Sequence, residues 1–344
     1  MPSPRPDEPS ASSAEPHRIE ALIGLRRWEE AIRLASERVA QHPGDANALV
    51  LLARSFHGAD RNDEAITTAR AARAAAPGWD EPFRIEAWAM APKDPRGAVI
   101  AARGARERNP GRVANWTALS YLASQAGQLD EAEQAAAGAR QLGPGSAEAM
   151  NVSGVVALKR KQNAEAEQWF RRGLAVDPLE PNLMNNLALA LRNQGRGDEA
   201  MALFERSLAA DPRGKHARKN LGATVRQEMW KGGARFAFLG SVLLLWLGLT
   251  SGSNVMLATG AATAVLTIVW LFVRRARFTE ARRSALREYE KDLGRRSGSS
   301  AFRDPARRRR VIVLVALILV CVGIFAIGTM NQSAPSSVYS RTGP

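Results

Sequence analysis

Apolar residues between positions 16 and 229 recur every three or four residues, in short segments that polar turns separate. This spacing places the apolar residues of each segment on one face, which predicts a series of amphipathic helices. Two of the turns, at 125–130 and 193–198, contain the Gly and Asp residues that commonly end and begin helices. The pattern therefore predicts an all-α array.

The same region also has a second, longer period. Six times, an alanine is followed twelve residues later by a proline, and successive prolines are 33 or 34 residues apart. Proline cannot continue a helix but suits the start of the next one. A small alanine allows two antiparallel helices to cross closely, where a bulky side chain would push them apart. The pairs are Ala31 and Pro43, Ala65 and Pro77, Ala98 and Pro110, Ala132 and Pro144, Ala166 and Pro178, and Ala200 and Pro212.

These units resemble the tetratricopeptide repeat (TPR) family, whose 34-residue helix-turn-helix pattern is W-x2-L-G-x2-Y, then A-x3-F, then P. Three units carry most of the motif. The matching residues are Trp116, Leu119, Gly127, Ala132, Ala139 and Pro144 in the fourth unit, Gly154, Ala166, Phe170 and Pro178 in the fifth, and Leu187, Gly195, Ala200, Phe204 and Pro212 in the sixth.

The resemblance implies a right-handed TPR solenoid over residues 16–229, with about six repeats and a capping helix over 215–229. The third unit departs from the pattern because it lacks one residue near 91–95. The first four units have alanine, at Ala35, Ala69, Ala102 and Ala136, where the motif has an aromatic residue. Residues 1–15 are rich in Pro and Ser, and we predict that they form a disordered tail.

In TPR proteins the first helix of each repeat lines a concave groove that binds a protein or peptide. The resemblance places polar, aromatic and basic residues of this chain in that groove, although the usual Lys and Asn order of a carboxylate clamp is absent. Exposed aromatic side chains are the stronger candidates for partner contact, and solvated helix faces are the alternative for the charged ones. The candidate partner-binding residues are Arg54, Trp88, Tyr121, Asn151, Lys159, Asn185, Arg192, Lys219 and Arg226, with His57, Arg84 and Thr117 beside them.

Residues 236–273 contain no charged side chain, unlike the repeat region before them. As one helix they would exceed the hydrocarbon thickness of a bilayer, about 30 Å, and Ser251 to Asn254 supply a break. We therefore predict a transmembrane hairpin at 236–273, with spans at 236–251 and 255–273, and a third transmembrane helix at 311–330. Glycines in the first two spans allow close helix packing, either within the hairpin or between copies in a homo-oligomer.

The formal net charge is +14, and residues 213–235 and 274–310 contain 21 of the 48 Lys and Arg residues. Because basic flanks stay in the cytoplasm, this asymmetry predicts a plasma (inner) membrane protein with cytoplasmic repeats and an external tail at 331–344. The composition, rich in Ala and Arg, is typical of a bacterial protein. No nucleic-acid-binding module accompanies the charge.

The basic segment 274–310 is predicted to be a cytoplasmic amphipathic loop. Its helical part, 274–296, has an apolar stripe of Phe278, Ala281, Ala285, Tyr289 and Leu293. Such a helix suits either anionic lipid headgroups or the surface of the repeats. The candidate lipid contacts are Arg274, Arg275, Arg307, Arg308, Arg309 and Arg310.

The sequence has no motif of a known catalytic or nucleotide-binding site, and we expect neither an enzyme nor a cofactor. A single cysteine and four scattered histidines predict no metal site. We hypothesise a membrane-tethered adaptor whose cytoplasmic groove binds a protein or peptide. The alternative is a structural subunit of a larger membrane complex, of the secretion, envelope-assembly or transport kind, that assembles through its transmembrane helices.

Overall fold

The computed structural model describes residues 11–229, 234–276 and 278–297, and the described residues form sixteen α-helices without a strand. The chain divides into two units, Met1–Ala190 and Leu191–Pro344. The helices are α1 Ala11–Gly24, α2 Trp28–Gln41, α3 Ala46–Gly58, α4 Asn62–Ala75, α5 Glu81–Met90, α6 Pro95–Arg108, α7 Val113–Gln125, α8 Leu129–Leu142, α9 Ala147–Lys159, α10 Asn163–Val176, α11 Pro181–Asn193, α12 Gly197–Ala210, α13 Lys215–Met229, α14 Ala234–Ser251, α15 Asn254–Ala276 and α16 Glu280–Ser297.

Helices α1 to α12 follow the predicted repeat, two helices to a unit. The alanine that defines the period is completely buried in each unit, from Ala31 to Ala200. Four residues later, Phe170 and Phe204 are also completely buried, and so are the alanines of the four earlier units. The predicted register is therefore confirmed. At the amino end, α1 begins at Ala11, five residues before the predicted start of the repeats. Residues 1–10 lie outside the described part of the chain.

The turn between the two helices of a repeat uses one residue with positive φ. Glycine occupies this position at Gly127 and Gly195, with φ of +80° and +84°. Arg26, Asp60 and Lys161 occupy it in three other repeats, with φ between 56° and 63°. A side chain in this left-handed region is strained, so the helix pair on either side must hold the backbone there.

The third repeat departs from this turn, as its missing residue predicts. Helix α5 has 10 residues instead of the 13 of α3, α7 and α9. The Asp94 side chain accepts a hydrogen bond from the Gly97 N–H at the start of α6.

The third repeat also buries a charged side chain. Glu86 is 3% exposed and accepts hydrogen bonds from Arg70 and Arg73 of α4, with the Arg70 contact at 2.8 Å. Pairing with two guanidinium groups offsets the cost of taking the carboxylate out of water.

Successive repeats are also joined by ion pairs between their second helices. Arg103 of α6 donates two hydrogen bonds to Glu131 of α8, at 2.5 and 2.7 Å. The bidentate geometry makes this a strong contact for a half-exposed pair. The hydrogen bonds and charge of Arg103 lower the pKa of the Glu131 carboxyl, and this effect exceeds the opposing effect of burial.

In the second unit, α13 has the predicted bounds of the capping helix, and Leu221 and Val225 are buried as expected. Helices α14 and α15 form an antiparallel hairpin, with the left-handed Gly252 (φ +70°) in the turn between them. A Cβ atom at Gly260 would lie 2.9 Å from the Leu245 nitrogen, so this glycine permits close packing within the hairpin. Gly240, by contrast, has nothing within 4 Å of such an atom.

The membrane prediction was wrong. Among the described residues, no helix combines the length and the apolar character needed to cross a bilayer. Helix α14 has 18 residues, about 27 Å of helix against about 30 Å of hydrocarbon. The prediction treated an uncharged run as an apolar one, but this run also contains Gly, Ser, Thr and Asn. The predicted spans at 236–251 and 255–273, and with them the multi-pass inner-membrane localisation, are therefore withdrawn. The third predicted span, 311–330, and the tail 331–344 lie outside the described residues.

The Arg103–Glu131 pair predicts how stability depends on pH. Because the folded state lowers the pKa of Glu131, the pair stabilises the fold above the ordinary glutamate pKa, and this stabilisation is lost as the pH falls through the lowered value. Glu131→Gln should therefore reduce the free energy of unfolding by about 1 kcal/mol at pH 7. The deficit relative to the wild type should vanish in acid. Urea unfolding of both proteins between pH 7 and pH 3 would measure it.

Glu133→Gln is the matched control for this comparison. Glu133 is 46% exposed and lies 3.4 Å from Arg140, so its substitution should change stability by a few tenths of a kcal/mol at most. A deficit for Glu131→Gln that stays constant with pH would show that the amide fails for steric reasons and that the charge pair does not stabilise the fold.

Candidate functional site

The predicted groove residues of the first unit lie on the first helices of successive repeats. We define the first-helix face as the surface that carries Arg54 of α3, Arg84 and Trp88 of α5, Tyr121 of α7 and Asn151 of α9. All five side chains are partly exposed. Trp88 and Tyr121 contact each other, with ring centroids 5.3 Å apart and planes tilted by 40°. The structure therefore joins the two aromatic candidates into one platform that solvent can reach.

Arg54 and Arg84 share a single carboxylate. Glu81, at the start of α5, lies 3.5 Å from an Arg84 nitrogen and 3.9 Å from an Arg54 nitrogen. Only 22% of the Arg84 side chain is exposed, and its Nε atom is buried without a hydrogen-bond partner. Burial lowers the pKa of the Arg84 guanidinium from its ordinary value. This cation is thus desolvated and incompletely paired, which is costly unless something else compensates it.

A cavity of about 220 Å³ opens beside these charges. Its walls combine apolar side chains from the first and third repeats with the shared ion pair and with His57 and Gly58 of the second repeat. A few fixed polar groups in a mostly apolar concavity are typical of a binding site. The lining residues are Ile23, Trp28, Arg54, His57, Gly58, Glu81, Arg84, Ile85 and Trp88.

Further along the first unit, the predicted asparagines form part of an amide ladder. Asn186 donates a hydrogen bond to Asn151 Oδ1 at 2.9 Å, and Asn185 donates to Asn186 Oδ1 at 3.1 Å. Lys159 of α9 donates to Gln125 of α7 at 2.8 Å. Each of these three predicted residues therefore bonds within the array, and the hydrogen bond from Asn186 to Asn151 links neighbouring repeats.

In the second unit, Lys219 and Arg226 of α13 are exposed, as a groove position requires. Arg192 is different because it is partly buried. Burial lowers the pKa of its guanidinium, and Tyr289 of α16 is close enough to oppose this shift electrostatically. The sequence left two alternatives open for the helix at 274–296, lipid headgroups or the surface of the repeats, and in the described residues α16 packs on α13. The predicted helix at 274–296 is interrupted at 278–279, which separates α16 from α15.

The candidate lipid contacts stay untested. Arg274 and Arg275 are in the last turn of α15, but their side chains are outside the described residues. Arg307, Arg308, Arg309 and Arg310 also lie outside them. In the described ranges, no group of three or more His, Cys, Asp or Glu side chains could hold a metal ion.

Sequence reasoning missed a second carboxylate beside the cavity. Asp80 is 8% exposed and accepts hydrogen bonds from Asn115 Nδ2 at 2.8 Å and from Arg112 at 3.2 Å. Burial tends to raise the pKa of Asp80, but these contacts outweigh it and hold the pKa below its usual value. It also missed Glu81, although the three-residue spacing from Glu81 to Arg84 is a recognisable helical ion-pair signal.

Comparison with known families agrees with this architecture. Two Tetratricopeptide repeat models match the chain, one over residues 18–78 and 117–181 and the other over residues 182–210. No curated protein matches the chain.

Solved structures with a similar fold include the APC/C hetero-tetramer Cut9-Hcn1, with a TM-score of 0.54, 14% identity, and coverage of 80% of this chain and 48% of that chain. This chain therefore spans about half the length of that one. PilW, described as a type IV pilus biogenesis factor, has a TM-score of 0.50 and 14% identity, with coverage of 62% of this chain and 100% of its own.

A tetratricopeptide repeat protein from Parabacteroides merdae also has a TM-score of 0.50, at 12% identity, with coverage of 80% of this chain and 96% of its own. Identities this low establish the fold and nothing more specific. Together with the buried alanines at the TPR period, the matches show that the chain contains tetratricopeptide repeats in an all-α helical solenoid.

Proposed function

We propose that the chain is a non-enzymatic protein-protein interaction scaffold whose first-helix face binds a peptide or protein segment. TPR proteins are generally scaffolds of this kind. The observation that carries the proposal is the Trp88–Tyr121 platform beside the Arg84 cavity. Aromatic and arginine side chains in partly desolvated positions are the residues that most often dominate binding energy.

The repeat architecture supports an extended ligand. Trp88 and Tyr121 come from successive repeats, and the cavity is lined from three repeats. A peptide that contacts all of them would therefore lie across the first helices. The amides of Asn151, Asn185 and Asn186 continue in the same direction, and such groups can hydrogen-bond a peptide backbone.

The membrane-complex alternative depended on transmembrane helices, and no helix among the described residues can span a membrane. The partner-binding proposal therefore rests on the repeats. The identity of the partner is set by the chemistry of the first-helix face.

This proposal predicts that the aromatic platform is required for binding. A displayed library of random peptides, selected against the full chain, should yield binders that the Trp88→Ala/Tyr121→Ala variant holds at least tenfold more weakly. The loss follows from removing two aromatic contacts, each of hot-spot type. Fluorescence anisotropy with the selected peptides would measure it.

Trp169→Ala is the matched control, because Trp169 is a partly exposed tryptophan on α10, a second helix of a repeat. It should leave affinity unchanged. Both variants should retain the helical circular dichroism of the wild type. Peptides that bind the double variant as tightly as the wild type would refute this site, and a selection with no enrichment would refute the scaffold role itself.

A further inference from the structure

Helix α13 is buried over more of its surface than a terminal helix requires. Its buried residues include the consecutive pairs Leu221–Gly222 and Thr224–Val225. Consecutive residues of an α-helix point about 100° apart, so the members of each pair belong to different faces. A helix that only covers the end of an array has one neighbouring repeat and buries one face against it. A second face of α13 therefore has a packing partner of its own.

That partner is α16, which crosses α13 at a glycine. A Cβ atom at Gly222 would lie 2.4 Å from the Ala285 carbonyl oxygen and 2.7 Å from the Tyr289 Cβ, both in α16. Arg218 of α13 also lies 3.5 Å from Glu288 of α16. Because the close contact is with the α16 backbone, the two helices can approach this far only where α13 has no side chain.

This crossing lies at a defined position of the repeat. Gly222 follows Gly154 of α9 by two 34-residue periods. A Cβ atom at Gly154 would lie 2.4 Å from the Phe170 ring of α10, the second helix of that repeat. The same close crossing therefore occurs at the same register position, and α16 takes the place that α10 has in the fifth repeat.

The sequence of α16 matches the second helix of a repeat as well. Ala285 and Tyr289 are four residues apart, as Ala166 and Phe170 are in α10. Ala285 is completely buried, like the defining alanine of every other repeat, and so is its neighbour Leu286. Helix α16 thus has both the small residue and the larger one that this crossing uses elsewhere.

An ion pair also joins α16 to the preceding second helix. Arg282 donates two hydrogen bonds of 3.0 Å to Glu205 of α12. In the first unit, the Arg103–Glu131 pair joins two consecutive second helices in the same way. Glu205 and Arg103 each lie five residues after the defining alanine of their repeat. The pair therefore starts from the same position in both units, with the two charges exchanged.

We infer that α13 and α16 are the two helices of a seventh repeat, into which a segment with the α14–α15 hairpin is inserted. Gly222 and Ala285 are 63 residues apart, whereas Gly154 and Ala166 are 12 apart, so the insertion adds 51 residues to the period. The inference does not depend on what the repeats bind.

The seventh repeat changes the role of α13. Arg283, Arg287 and Lys291 are spaced four residues apart on α16 and are exposed. A polar outer face of this kind is what the terminal repeat of an array needs. Helix α16 therefore ends the array of described repeats. Helix α13 is a first helix rather than a cap, and its exposed Lys219 and Arg226 add one more helix to the surface that the second unit offers to a partner.

Hydrogen exchange of the full chain tests this assignment. The amides of α16 should be protected like those of α10 and α12, because a docked second helix exchanges only when its repeat opens. Gly222→Ala should raise exchange in α16 by roughly tenfold or more, since the added Cβ atom clashes with the α16 backbone. Alanine is a better helix former than glycine, so a loss of helix propensity in α13 would not explain this result. Fast exchange of α16 in the wild type would overturn the inference.

Two other glycines provide matched controls. Gly240→Ala should leave exchange in α16 unchanged, because a Cβ atom there meets nothing within 4 Å. Gly154→Ala should raise exchange in α10 and leave α16 protected, because its Cβ atom would meet the Phe170 ring. A Gly222→Ala protein in which α16 stays as protected as in the wild type would refute the crossing, and with it the seventh repeat.

A charge reversal gives a second test that does not involve the glycine. Glu205→Arg and Arg282→Glu should each increase exchange in α16 several-fold, because each places like charges opposite each other. The double variant should restore protection. Arg287→Glu is the matched control, because Arg287 is an exposed arginine of the same helix, and it should leave exchange unchanged. A double variant as exposed as the two single ones would show that the two side chains do not meet, and the seventh repeat would be rejected.

Discussion

The close crossing of two helices at a small residue is the constraint on which this protein depends. In each unit the defining alanine has no measurable exposure, from Ala31 to Ala200. The side chain four residues later fills the space that the side chains of the opposing helix leave. Phe170 fits because Gly154 has no side chain, whereas Ala102 packs in a cluster with Ala87 of the preceding helix. A larger residue on one side requires a smaller one on the other, since the interior is close-packed.

Much of this arrangement follows from the sequence because it is local and repeated. The 34-residue period predicted the helix pairs and the buried alanines, and the missing residue near 91–95 marked the third repeat as irregular but did not predict that α5 has only 10 residues. The sequence could not show that α16 packs on α13, because their contact joins Gly222 and Ala285 across an interruption of the period. The membrane prediction failed for a different reason. It relied on the absence of charge, which does not measure how apolar a helix is.

The candidate site was predicted only in part. The TPR resemblance placed Trp88, Tyr121 and Arg84 on one surface, and the structure brings them together there. It could not assign different roles to the adjacent carboxylates of Asp80 and Glu81. Asp80 accepts a hydrogen bond from the completely buried Asn115. Glu81 instead lies near both Arg54 and Arg84, at distances too long for strong hydrogen bonds. Such differences depend on tertiary neighbours, which the repeat pattern does not encode. A partly buried and incompletely paired Arg84 departs from the usual pairing of desolvated charges, and departures of this kind concentrate where a protein binds something.

An insertion inside a repeat is compatible with the energetics of such an array. Each repeat is stabilised by contacts with its own two helices and its immediate neighbours, so stability depends on whether those faces meet and not on how the chain connects them. Lengthening a connection costs little, about 0.6 kcal/mol for each doubling of the loop length. The inserted hairpin also packs internally through Gly248 and Gly260, which reduces the length of chain that must be ordered by the repeat itself. The crossing at Gly222 therefore has to offset only a modest closure entropy, and the completely buried Ala285 and Leu286 provide apolar contacts that can do so.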